Sequence, residues 1–126
     1  HGADAQIKKQ YDWFNAVKNN DIIQVKTFLS QGFNVNSQHA FNGCAALHYA
    51  ALNGNQALVA LLLESGADVN AKTDDDKTAI EIATHEGFEG IVALLLENGV
   101  DVTARTKHGR TLLHIASDYS QEKIVR

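Results

Sequence analysis

Apolar residues in this chain come in short clusters, and the clusters return at a fixed distance. Leu47, Ile80 and Leu113 stand 33 residues apart, and so do their neighbours. The segment from Gly43 to Ala51 returns as Asp76 to Thr84, and again as Gly109 to Ser117. A second block follows at constant spacing: Leu58-Val59 with Leu62-Leu63, then Ile91-Val92 with Leu95-Leu96. A period of about 20 to 50 residues marks a stacked repeat protein. In such a stack each unit leans on its neighbours, and function lies on an extended surface rather than in a closed pocket.

Within each period the pattern predicts two helices. Leu47, Ala50 and Ala51 share one face of a short helix from Ala46 to Leu52, where small alanines allow close approach. Asn53-Gly54-Asn55 breaks it. A second helix is predicted from Gln56 to Glu64, with Leu58, Val59, Leu62 and Leu63 forming a buried stripe at helical spacing. Gly66 follows where a left-handed cap needs no side chain, and Ala67-Asp68-Val69-Asn70-Ala71 leads into a polar connector. Gly99 and Asp101-Val102-Thr103-Ala104 repeat that step.

These residues resemble the ankyrin repeat, whose pattern reads Gly-x-Thr-Pro-Leu-His-x-Ala-Ala, a helix with Ile-Val and Leu-Leu, then Gly-Ala-Asp-Val-Asn. Gly66 to Ala71 matches throughout, and Thr111, Leu113, His114 and Ala116 match in the last repeat. The resemblance divides the chain into an extension (1–10), a degenerate repeat (11–38), a second (39–71), a third (72–104) and an incomplete fourth (105–126). In the degenerate repeat Ala16-Val17 stands for the paired alanines, Asn20 for the glycine, and Val25, Phe28 and Leu29 for the second stripe. Gly32 to Gly66 spans 34 residues, so the connector from Gln38 to Asn42 is expected to carry one residue more than the next. The implied fold is an all-α solenoid of helix–turn–helix units joined by β-hairpin-like loops.

Departures from the family pattern are informative. Its proline is replaced by Ala46, Ala79 and Leu112, and the chain contains no Pro. Helix starts there lose a preset φ. Asp76 replaces a hairpin glycine, Glu81 a histidine and Ser120 an interhelix glycine. The last repeat stops at Arg126 directly after Ile124-Val125, which reads as a truncation or as an edge that buries itself against something else.

Composition narrows function further. The formal net charge is −4, which offers no basic footprint for nucleic acid. The longest apolar run, Ala57 to Leu63, is far short of the roughly 20 residues that span a bilayer, so no membrane insertion is expected. The single cysteine, Cys44, cannot form an internal disulfide. A cytoplasmic monomer is the expectation. A periplasmic or secreted location is the alternative if Ala3-Asp4-Ala5 follows a cleaved signal peptide, although an arbitrary boundary fits that stretch equally. His1-Gly2 reads as a tag or processing remnant.

Candidate chemistry is sparse. The resemblance gives His48 and His114 a structural role in holding the turn. They lie two repeats apart with Glu81 at the equivalent site between them, so they cannot share a zinc ion, whose ligands sit about 2 Å from it. His85-Glu86 lacks the second histidine of a zinc-protease helix. Asp74-Asp75-Asp76 lacks the alternating ligands, glycine and distal glutamate of a calcium loop. It reads as a solvated tip or an acidic contact. Cys44 has no histidine placed to activate it. No catalytic, metal or cofactor site is therefore expected, and the chain reads as a non-enzyme.

The resemblance implies protein binding through the connector tips and the concave surface of the first helices. On this sequence those positions are Phe41, Asn42, Cys44, Tyr49, Leu52 and Asn53 in the second repeat. In the third they are Asp74, Asp75, Lys77, His85 and Glu86, and in the fourth Lys107, His108, Arg110, Asp118 and Tyr119. Phe41 is either an exposed anchor or packed back on its connector. Trp13, Phe14 and Phe28 are expected to cover the open end of the first repeat as core. The partner is another protein with a complementary charge pattern, acidic residues lying in the middle repeat and basic ones in the last. The alternatives are a dedicated inhibitor or immunity-type protein that occludes one enzyme, and a regulatory fragment of a larger protein.

Overall fold

The structure, a computed structural model, describes residues 2–39 and 42–99, with side chains from Ile7 onward. Six helices follow in order: α1 (Gly2–Lys18), α2 (Ile22–Ser30), α3 (Ala46–Asn53), α4 (Gln56–Glu64), α5 (Ala79–Glu86) and α6 (Glu89–Glu97). Among the described residues there is no strand.

The helices begin and end where local chemistry dictates. Asp21 caps α2 by accepting from the Gln24 N–H at 3.1 Å, and Asn55 caps α4 by accepting from the Leu58 N–H at 3.1 Å. Thr78 does the same for α5. Ala45 has no side-chain acceptor with which to cap α3. There His48 reaches back instead, its Nδ1 accepting from the Ala45 N–H at 2.9 Å. The missing proline therefore leaves both first helices starting as predicted, at Ala46 and Ala79. The first of them ends one residue beyond the predicted Leu52, at Asn53.

Among the described residues, left-handed backbone falls at every predicted break, including two that lack glycine. Gly54 closes α3 at φ 74°, and Asn20 takes the equivalent place after α1 at φ 58°. Asp76 adopts φ 63° where the second repeat has Gly43 at φ 70°. Asn and Asp tolerate this region better than other L-residues, which is why the substitutions preserve the turn. At Gly54 space matters as much as φ: a Cβ would stand 2.7 Å from the Phe88 ring.

The first helices α1, α3 and α5 pack side by side, and each packs on its own second helix. Equivalent residues of successive repeats fill one continuous core: Leu47 and Ile80, Leu58 and Ile91, Leu62 and Leu95. Ala50, Ala51 and Ala83 are fully buried between the first helices. Trp13, Phe14 and Phe28 close the first repeat as buried core, as expected from the sequence. The first helix is longer than the repeat pattern implies. It runs through the boundary drawn at residue 10 and begins at Gly2.

Polar side chains stitch one repeat to the next. Asn36 donates from Nδ2 to the Gly66 carbonyl at 3.1 Å and accepts from the Asp68 N–H at 2.7 Å. Gln38 Nε2 reaches the Gly43 and Lys72 carbonyls at 2.9 and 3.0 Å. His48 Nε2 meets the Ala71 carbonyl at 2.9 Å. Because its Nδ1 accepts, the ring proton belongs on Nε2, which donates from the start of the second repeat to its end.

Candidate protein-binding surface

The connector tips are closed by local backbone bonds. His39 N–H donates to the Cys44 carbonyl at 2.8 Å, and Thr73 N–H donates to the Lys77 carbonyl at 2.9 Å. The first closure encloses one residue more than the second, where the 34-residue spacing places the insertion. In the third repeat the buried Thr73 hydroxyl accepts from the Asp75 and Lys77 N–H groups, both at 3.2 Å. Asp74, Asp75, Asp76 and Lys77 are exposed around it.

Adjacent tips touch directly. Asp74 N–H donates to the Asn42 carbonyl at 3.0 Å. Gly43 permits this approach, since a Cβ there would lie 2.8 Å from the Asp74 nitrogen. Asn42 organises its own turn as well. Its Oδ1 accepts from the Cys44 N–H at 2.9 Å and its Nδ2 donates to the Tyr49 hydroxyl at 3.0 Å.

Tyr49 is less free than a groove-lining residue would be. It is half-buried, with its ring 5.7 Å from Phe14, 6.4 Å from His39, and under the Lys18 ammonium at 5.0 Å. Burial pushes its hydroxyl pKa up, and the Asn42 bond acts against that shift. Burial likewise pushes the Cys44 thiol up. The Tyr49 hydrogen bond opposes this, while the Asp74 and Asp75 charges add to it. A thiol so placed is a poor nucleophile at neutral pH.

The first-helix surface presents Leu52, 50% exposed, and Asn53 from α3, with His85 and Glu86 at the equivalent positions of α5. Asn53 also has an internal duty: its Nδ2 donates to the Lys18 carbonyl at 3.0 Å and to Asn20 Oδ1 at 3.4 Å. Phe41, Lys107, His108, Arg110, Asp118 and Tyr119 lie outside the described residues. Thr73, Gln38 and Lys18 were not singled out from the sequence although they shape this surface. A buried threonine directly before an acidic run has a readable turn chemistry. The Lys18–Tyr49 contact joins residues 31 apart and leaves no local sign.

Among the described residues no group of three His, Cys, Asp or Glu is placed to hold a metal ion. No helix among them is long and apolar enough to cross a membrane.

Comparison with known proteins places this architecture. The model of the family described as ankyrin repeats (3 copies) matches residues 13–106 and 72–126. This chain belongs to the ankyrin repeat family. The fold resembles the crystal structure of the ankyrin repeat domain of Bcl-3, with a TM-score of 0.75 and 28% identity, covering 80% of this chain and 44% of that one. A putative ankyrin repeat protein of fowlpox virus is 34% identical over 83 residues, 62% of this chain and 12% of the relative. The mouse B-cell lymphoma 3 protein homologue is 39% identical over 69 residues, 55% of this chain and 15% of the relative. The human mitochondrial disaggregase is 40% identical over 73 residues, 56% of this chain and 10% of the relative. The likeness is thus to a repeat module inside larger proteins. Ankyrin repeats are generally protein-interaction modules and typically not enzymes.

Proposed function

We propose that this ankyrin domain binds a partner protein through the tips and first helices of its second and third repeats, without catalysis. One observation carries this reading: exposed side chains recur in register across a junction that is hydrogen-bonded internally. Asn42 stands beside Asp74, and Leu52 and Asn53 repeat as His85 and Glu86. The bonds from Asn36 to Gly66, from Gln38 to Lys72 and from Asp74 to Asn42 fix the spacing between repeats. A partner therefore meets a backbone that needs little further ordering on binding.

The test is capture of partners from the source organism, quantified for wild type and for a variant combining Leu52→Ala, Asp75→Lys and Glu86→Ala. These exposed sites leave the core untouched. Loss of one specific partner at unchanged helicity is the expected result. Equal capture by the variant would rule this surface out.

A further inference from the structure

The long first helix builds a cavity that the repeat pattern does not call for. The counterpart of Ala46 in the first repeat is Asp12, yet α1 begins at Gly2. Lys9 and Gln10 sit on this overhang. Together with Phe28 and Gln31 of the α2 end and Phe33 and Asn34 of the connector, they line a half-open cavity of about 280 Å³. Its lining includes one cation and no carboxylate.

Trp13 follows one turn along the same helix and is 0% exposed. Its ring lies 4.9 Å from Phe33 and 6.0 Å from Phe28, so the indole and two of the lining rings form one aromatic cluster. Its Nε1–H has no hydrogen-bond partner, and it is the only buried side-chain nitrogen or oxygen among the described residues in that position. An unmet buried donor is uncommon in a folded protein. Trp13 does not itself line the cavity, but its ring contacts Phe28 and Phe33, which do.

We propose that this cavity binds a small organic carboxylate, its acid group at Lys9 and its apolar body on Phe28 and Phe33. The volume is just below the usual range for ligand pockets, about 300–1,000 Å³, which fits a single-ring body. A lone ammonium without a competing carboxylate favours an anion. The amides of Gln10, Gln31 and Asn34 offer donors to its oxygens. A flat ring meets Phe28 and Phe33 in offset or edge contact. The site shares no residue with the partner surface of the second and third repeats, so the two readings stand or fall separately.

Trp13 is the only tryptophan in the chain, so one indole N–H resonance reports on the cluster. The experiment titrates the full chain with phenylacetate and, separately, with neutral phenylacetamide. Phenylacetate should move the indole resonance saturably, with a dissociation constant on the order of 1 mM. Lys9→Glu should weaken this about tenfold or more, and phenylacetamide should bind correspondingly worse. Lys9 is exposed, so the variant should keep its wild-type circular dichroism. A resonance that does not move, equal binding of acid and amide, or an unaffected Lys9→Glu would each overturn the proposal.

Discussion

His48 holds two backbone groups with one ring, and this makes stability depend on its charge. The ring is 1% exposed, accepts from Ala45 and donates to Ala71. Burial lowers its pKa below the ordinary 6.5, with the Ala71, Lys77 and Ala45 backbone contacts acting the other way. Between the two values the unfolded chain binds a proton that the folded chain does not. Stability is therefore full above the ordinary value and falls as pH drops below it. Urea unfolding across that range should show this slope, and His48→Gln should flatten it while costing about 1–3 kcal/mol at neutral pH. An unchanged slope in the variant would remove His48 as the source. The resemblance gave His48 a structural role; its acceptor 23 residues away became visible only in three dimensions. Cys44 yields a second expectation. Its thiol should react with iodoacetamide at neutral pH several-fold more slowly than in the urea-unfolded chain, because burial and the two nearby carboxylates disfavour the thiolate. Equal rates would contradict that placement.

Caps and turns decide how each element meets the next. Removing the Asn55 side chain by Asn55→Ala should cost about 1 kcal/mol in thermal or urea unfolding, since the Leu58 N–H loses its acceptor. Gly43→Ala should cost more, about 2 kcal/mol, combining a left-handed backbone with a close approach to the Asp74 nitrogen. A neutral Gly43→Ala would mean that the two tips separate freely. Both sites were legible in the sequence because Asn and Gly have position-specific backbone chemistry. The start of α1 was not. The residues before Tyr11 carry no repeat marker, and helix propensity alone is a weak guide over so short a stretch.

Charge and core act over the whole stack. From Glu64 to Glu97 the chain holds nine carboxylates and two lysines, whereas the entire chain is only −4. Among the described residues the one salt bridge, Lys8–Asp12 at 3.0 Å, lies at the opposite end. Added salt should therefore raise the unfolding midpoint by screening repulsion, the reverse of a protein held together by ion pairs. A midpoint that falls steadily with sodium chloride would show that attraction dominates. Leu62 is fully buried where α4 faces its neighbours, so Leu62→Ala should cost about 2–5 kcal/mol. Each repeat shares its core with the next, so this loss should lower one common transition rather than create a separate early one.

The sequence alone determined the period, the helix pair of each repeat and most of the residues that fill the core, although Leu63 of the predicted buried stripe is only half-buried. These follow from local geometry: apolar spacing, capping side chains, and residues that accept a left-handed backbone. It also placed the extra connector residue. Tertiary structure decided which of the candidate surface positions are free. Tyr49 is taken up by Phe14, His39 and Lys18, and Asn53 by Lys18 and Asn20, whereas Leu52, Asp75, His85 and Glu86 remain exposed. The physical reason is distance along the chain. Contacts between residues about 30 apart depend on how one repeat seats against the next, and local side-chain patterning does not record that.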